Sequence, residues 1–326
     1  MNKISFPGLG LNNITIKREM LTIFGFPIYW YAAIITAGII AAFLYALKNR
    51  ERFDLTEDNI FDVLIFGLPA AIIGARLYYV LFDLGSFRSF WDIFNLRTGG
   101  LAIYGGVIAA GITAVIFCKV KKINLGKLLD VAAIAFLLGQ ALGRWGNFFN
   151  AEVFGIPTSL PWRMNISGDV NAIGVHPLFL YESIWNIIGF ILLHNYSKKS
   201  KNRFNGEIAL WYVVWYGIGR GLMEGLRNTD FVLTLGGLYI SQVLAFLSAI
   251  AAGVIIYILK KKYAEKKNEP EEYKKIYNIN EEEKPVSEDI KEELPNVNTE
   301  AEISIDNEID KIIKEKNGEN NDADDN

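Results

Sequence analysis

The chain has a single cysteine, Cys118, and only two histidines, His176 and His194, among 326 residues. One cysteine excludes an internal disulfide, and no cysteine–histidine spacing offers a zinc site. No serine motif has a histidine partner, and no aspartates pair as metal ligands. A glycine-rich phosphate-binding loop is also missing. The N-terminus lacks a basic region followed by a short apolar core and a small-residue cleavage site, so the first apolar run is expected to be a retained span. Nor do the apolar runs divide into two similar halves with interrupted helices, as those of secondary transporters often do. These absences point to a nucleophile that arrives with a substrate, with no metal and no cofactor expected.

What the chain does have is hydrophobic length. Seven runs read as membrane spans, at 28–47, 60–82, 101–118, 128–143, 177–194, 207–226 and 237–259. A spanning helix needs about 20 mostly apolar residues; the fourth and fifth runs are the shorter ones. The first, third and last carry no charge, which leaves no polar face for a soluble helical core to show water. The connections near 48–59, 119–127 and 198–203 hold "KNRER", "KVKKINLGK" and "KKSKNR", and the last run ends in "KKKYAEKK". With seven spans all four fall on one side, opposite loops that hold Arg88, Arg97 and Arg227. The positive-inside rule then puts the N-terminus outside and the C-terminus in the cytoplasm. The expected fold is an all-α integral membrane protein of about seven transmembrane helices, with residues 1–262 as its polytopic domain. From 268 on, twenty acidic residues stand against seven lysines. Such a composition cannot bury enough apolar surface to fold alone, so 263–326 is expected to be a disordered acidic cytoplasmic tail. Its acids mask a basic membrane domain, which suits an anionic lipid surface.

The stretch "GRWGNFFNAEVFG" at 143–155 follows the fourth run directly and concentrates Arg144, Asn147, Asn150 and Glu152 there. Charges inside spans cost roughly 2.5–3.5 kcal/mol each at the helix centre on insertion scales. Asp62, Asp130 and Glu207 lie close enough to span ends to be read as interfacial. Arg76 is deep in the second run, Glu182 opens the fifth, and Arg220 and Glu224 close the sixth, followed by Arg227. Arg220 and Glu224 are four apart and share a helix face. All of these fall in the outer half, with Arg144 and Glu152. Two or three arginines converging in an outward cavity make a phosphate site, because a guanidinium keeps its charge in a low dielectric and binds oxygens in pairs. Asn147 and Asn150 add neutral donors and acceptors, while Gly146 and Gly155 permit a tight turn or a close approach. Tyr29, Trp30 and Tyr31 open the first run as interfacial aromatics. "TGGLAIYGG" at 98–106 reads either as a bent entry, with Tyr104 between glycine pairs, or as tight helix packing. The polar segment 156–176 is expected to be an outward loop element.

"GRWGNFFNAEVFG" resembles the signature of the bacterial phosphatidylglycerol–prolipoprotein diacylglyceryl transferases. "HPLFLYES" (176–183), "YGIGRGLMEGLRNTD" (216–230), "GGLAIYGG" and "YWYAA" are similar to further blocks of that family, in the same order, over about 1–262. The resemblance implies transfer of a diacylglyceryl group from phosphatidylglycerol to the lipobox cysteine thiol of a prolipoprotein, giving a thioether and glycerol phosphate. It implies a multi-pass protein of the bacterial inner membrane with its site toward the outer leaflet. The partners are then the lipid, the prolipoprotein signal peptide and the membrane, with no nucleic acid. It makes Arg144 and Arg220 the foremost functional residues, followed by Tyr31, Asn147, Glu152, Gly155, Glu182 and Glu224. Some members have a histidine, considered as a base, where this chain has Tyr104. A phenol is a poorer base than an imidazole at neutral pH, so the base stays open between Tyr104 and the carboxylates. The reaction's chemistry expects Arg144 and Arg220 to hold the phosphate, with Arg76 also binding substrate. Asn147 and Asn150 would orient the headgroup, and Glu152, Glu182 and Glu224 would fix the arginines. A flippase for an anionic lipid would use the same arginines, but its polar residues should continue to the cytoplasmic side, and here they thin out.

Overall fold

A computed structural model of the chain describes residues 2–87, 89–95, 99–166, 173–200, 202–228, 234–235 and 238–268. Arg88, Arg97 and the acidic tail beyond Asn268 lie outside the described residues, and Met1–Lys267 forms one compact unit. Seven long helices dominate it: α1 (Trp30–Asn49), α2 (Glu57–Phe82), α3 (Ile103–Lys121), α4 (Leu125–Asn150), α5 (Leu178–Lys199), α6 (Glu207–Glu224) and α7 (Ile240–Asn268). Six are long and apolar enough to cross a membrane. The exception is α6, whose 18 residues include Glu207, Arg220 and Glu224.

The helix ends follow from local chemistry. Thr56 caps α2 by accepting the Asn59 N–H at 3.2 Å, while the Asn59 side chain accepts the Thr56 N–H at 3.0 Å. Lys122, in the left-handed conformation, stops α3, and Asn124 at once caps α4 by accepting the Gly126 N–H at 2.9 Å. The start of α6 is capped from outside the helix. The buried Asp130 of α4 accepts the N–H groups of Gly206 and Ala209 at 3.0 and 2.9 Å. Asp130 is therefore a buried cap inside the bundle and does not face solvent. Glu207 is equally buried, held by Lys260 at 2.8 Å and by the Tyr196 hydroxyl.

α4 is the central helix, packed against α1, α5 and α6, while α2 pairs with α3. One core cluster, around Ile134, Leu137 and Ile208, fills the half of the bundle next to the α3–α4 turn. A second, around Ile4, Ile16, Met164 and Phe179, lies at the other end. That second cluster depends on an element the sequence reading did not assign. Residues 2–29 form two antiparallel hairpins, β1 (Asn2–Phe6) with β2 (Leu11–Ile16), and β3 (Glu19–Ile23) with β4 (Phe26–Tyr29). Ile4 and Ile16 of the first hairpin pack with Phe148, Phe149 and Phe154 of the 143–155 stretch. A short ribbon, β5 (Thr234–Leu235) with β6 (Leu238–Tyr239), precedes α7.

α5 and α6 are joined by a reciprocal lock. Trp185 and Trp215 stack with ring centroids 4.3 Å apart. Each indole N–H donates to the other tryptophan's carbonyl, at 3.2 and 3.1 Å. Each ring also lies over a glycine four residues beyond its partner, Trp215 over Gly189 and Trp185 over Gly219. A Cβ at Gly219 would strike the Trp185 indole. Gly219→Ala should therefore lower stability by about 1–3 kcal/mol through overpacking, read as a lower melting temperature in detergent. In a Trp185→Phe background the same substitution should cost measurably less, because the clashing ring edge is gone. Equal costs in both backgrounds would place the clash elsewhere.

Candidate functional site

The stretch 143–150 is helical. It forms the last two turns of α4, which ends where Ala151 adopts φ +53. The N–H groups of Ala151 and Glu152 then reach back to the carbonyls of Phe148 and Asn147, at 3.0 and 3.1 Å. The aromatic residues here bury one side of the helix. Trp145 and Phe148 pack on Phe179, with centroids 5.4 and 4.8 Å away, and Phe149 stacks on Trp30 at 4.9 Å.

Arg144 meets α5, where its Nε lies 2.6 Å from Glu182 Oε2. On α6, Arg220 Nη2 lies 2.7 Å from Glu224 Oε2, and Arg227 Nη1 approaches the same oxygen at 3.5 Å. The Ser241 hydroxyl of α7 donates to Glu224 Oε1. The two ion pairs open on one cleft between α4, α5 and α6, lined by Arg144, Glu182, Trp185, Asn186, Tyr216 and Arg220. The carboxylates are the buried partners, with side chains 9% and 3% exposed, against 26% and 23% for Arg144 and Arg220. Among the described residues Arg144 pairs through Nε and Arg220 through Nη2, so further N–H donors remain on each guanidinium. Three guanidinium groups face two carboxylates, an excess of positive charge suited to an anion.

Backbone crossings hold these helices in place. The Gly155 N–H donates to the His176 carbonyl at 3.0 Å, and the Ile156 N–H to the Leu226 carbonyl at 2.9 Å. The chain leaving α4 is thus stitched to the entry of α5 and the exit of α6. A Cβ at Gly155 would come within 2.7 Å of both His176 Cβ and the Leu226 carbonyl oxygen, so only glycine fits. Gly146 works the same way for α1. Tyr31 packs over it, where a Cβ would lie 2.8 Å from the ring.

Other expected site residues are placed differently. Arg76 is buried and does not join the cleft. Its N–H groups donate to the carbonyls of Ile93, Gly99, Gly100, Asp92 and Asn95, at 2.6–3.1 Å. Its donors are spent on these carbonyls, in 92–95 and 99–100, which it holds in place, and none is left to bind a phosphate. Gly99 and Gly100, at φ +83 and +81, form the bent entry to α3, whereas Gly105 packs against Gly74 of α2. Both readings of "TGGLAIYGG" therefore hold, each for one glycine pair. Tyr104 is 68% exposed on the first turn of α3, beside Tyr78, and does not line the cleft. Glu152 is exposed and accepts from the Asn150 amide at 3.2 Å; it fixes no arginine among the described residues. Asn147 is half-buried one turn before the end of α4. Asn186, Tyr216 and Ser241 were missed. Asn186, a buried amide one turn beyond Glu182 in an apolar span, carried a signal; Ser241 carried none. Among the described residues no group of three His, Cys, Asp or Glu side chains is placed to hold a metal ion.

A sequence model of the family "Prolipoprotein diacylglyceryl transferase" matches residues 18–259. A protein of Finegoldia magna named phosphatidylglycerol–prolipoprotein diacylglyceryl transferase is 44% identical over 255 residues, covering 78% of this chain and 100% of that protein. Proteins of the same name from Enterococcus faecalis and Clostridioides difficile are 41% and 39% identical, covering 73% and 78% of this chain and 89% and 97% of their own lengths. With residues 18–259 matched by the family model and a relative 44% identical over 78% of this sequence, the chain belongs to the prolipoprotein diacylglyceryl transferase family.

Proposed function

We propose that this multi-pass membrane protein transfers the diacylglyceryl group of phosphatidylglycerol to a prolipoprotein, at the lipobox cysteine, and that the Arg144–Arg220 cleft holds the lipid phosphate. One observation carries the assignment of the site. Two guanidinium groups from separate helices, each braced by its own buried carboxylate, line one narrow cleft of about 20 Å³, which the lipid phosphate would have to widen. The cysteine sulfur attacks the glyceryl carbon as a thiolate, the bond from that carbon to the phosphate oxygen breaks, and glycerol phosphate leaves with the electron pair. Negative charge grows on the leaving oxygen, and guanidinium donors fixed in advance stabilise it without reorganising. Glu182 and Glu224 each already hold a guanidinium. Glu152, exposed and bonded by Asn150, and Tyr104, exposed on α3, stand outside the lining of the cleft. They are the two groups left to take the thiol proton, and the carboxylate is the better base at neutral pH. Tyr31, Asn147 and the Gly155 crossing border the same end of the bundle and position substrate there.

The topology belongs to the same reading. All seven helices span the inner membrane, α6 included, because Glu207 and Arg220 are neutralised by partners inside the bundle. The hairpins and residues 151–166 and 173–177 then lie outside, at the outer leaflet, and the lysine-rich connections lie in the cytoplasm. Residues 1–262 form the catalytic domain; α7 runs six residues past that boundary, to Asn268, so the acidic cytoplasmic tail begins beyond 268 rather than at 263.

Membranes holding the chain should move labelled diacylglyceryl onto a lipobox peptide, and a peptide with serine for cysteine should receive none. Lipid movement between leaflets without transfer would contradict the reading. Arg144→Lys and Arg220→Lys should each lower kcat by roughly two orders of magnitude or more, since an ammonium cannot pair phosphate oxygens. Near-normal turnover in either would remove the bidentate role. The carboxylates should separate by stability. Glu224→Gln leaves two half-buried arginines short of a counter-charge and should cost about 1.5–3 kcal/mol. Glu152→Gln should leave the melting temperature unchanged and abolish turnover; retained turnover would exclude Glu152 as the proton acceptor.

A further inference from the structure

The β3–β4 ribbon carries an apolar face that the site does not use. Its register sets Leu21 opposite Ile28 and Ile23 opposite Phe26, so these four side chains share one face. β3 is exposed along its whole length. At the tip, Phe24 and Gly25 have φ of +48 and +81. Two successive positive φ values are the signature of a turn that Asn-Gly fits best, and a bulky aromatic is a poor occupant of that conformation. Phe24 is nonetheless there, and 96% exposed. Neither turn chemistry nor packing within the protein accounts for it.

The base of the ribbon indicates what does. β4 runs without a break into α1, a helix long and apolar enough to cross the membrane. The Trp30 N–H donates to the Arg18 carbonyl at 3.0 Å, tying the ribbon to the first turn of that helix. Lys17 and Arg18 are exposed at this base, beside the aromatic entry Tyr29–Tyr31. We infer that β3–β4 is an interfacial anchor in the leaflet that the N-terminal end of α1 enters. Leu21, Ile23 and Phe24 dip among the upper acyl chains, and Lys17 and Arg18 stay at the lipid phosphates. The open edges of a two-stranded ribbon need water for their N–H and C=O groups, so hydrocarbon depth is excluded and the headgroup–acyl boundary fits. Arg18 also donates to the Asn150 carbonyl at 3.1 Å, so the anchor is tied to the end of α4 that carries Arg144.

The test places one cysteine at the tip, Phe24→Cys in a Cys118→Ser background, and attaches a polarity-sensitive fluorophore. The full chain is reconstituted in vesicles of phosphatidylcholine and phosphatidylglycerol. The label should emit at short wavelength, and lipids with a nitroxide near the top of the acyl chain should quench it about threefold more than aqueous iodide does. Water-like emission with quenching by iodide alone would overturn the proposal. A second variant separates lipid contact from folding. Phe24→Asn improves the turn residue and should hold or raise the melting temperature in detergent. A fall of several degrees would mean that Phe24 packs on the protein, which would also overturn it.

Discussion

A guanidinium inside a helical membrane bundle persists only where its donors are answered, by backbone carbonyls at Arg76 and by a carboxylate at Arg144 and Arg220, and the rest of the site is arranged around that requirement. Removing a charge from water costs several kcal/mol, so Arg144 and Arg220 fix where Glu182 and Glu224 stand. Glu182 is on α5, so the first pair sets the distance from α4 to α5. Glu224 takes Arg220 and Arg227 and also the Ser241 hydroxyl, so the second pair binds α6 to α7. The carboxylates are buried and the guanidinium groups face the cleft. That asymmetry makes the pairs more than structural ties, because each arginine keeps donors for an anionic ligand.

The opposite end of the bundle is built from similar buried carboxylates that are closed. Asp130 is consumed in capping α6, and Glu207 Oε1 is taken by Lys260 and Tyr196. Between the two ends the tryptophan lock holds α5 against α6, so Trp185 serves at once as packing and as a wall of the cleft. The crossing at Gly155 completes the frame by tying the exit of α4 to the helices that carry Glu182 and Arg220. A side chain there would push apart the elements that bring the two ion pairs together.

Much of this was legible in the residues. Three of the seven expected spans were plain from uncharged length, and the four-residue spacing of Arg220 and Glu224 gave their pairing directly. α4 ran beyond its apolar run, because Trp145, Phe148 and Phe149 bury a helical face that hydropathy alone does not mark. Arg76 could not be placed from sequence. Its partners are five backbone carbonyls 16 to 24 residues away, and carbonyls have no sequence signature. The first hairpin was hidden for a related reason: its strands are short and find their core only against Met164 and Phe179, far along the chain. Asp130 and Glu207 looked interfacial because burial with a partner and exposure at a surface leave the same trace in a hydropathy profile.

The central claim is that Arg144 and Arg220 grip a single phosphodiester. A double-mutant cycle on the affinity for a non-reactive phosphatidylglycerol analogue tests it most directly, using Arg144→Gln, Arg220→Gln and both together in bilayer discs. Two groups on one phosphate should couple, so the double variant should lose less affinity than the two single losses combined, by about 0.5–3 kcal/mol. Strict additivity, or undiminished binding in either single variant, would mean that the two arginines serve different ligands or none.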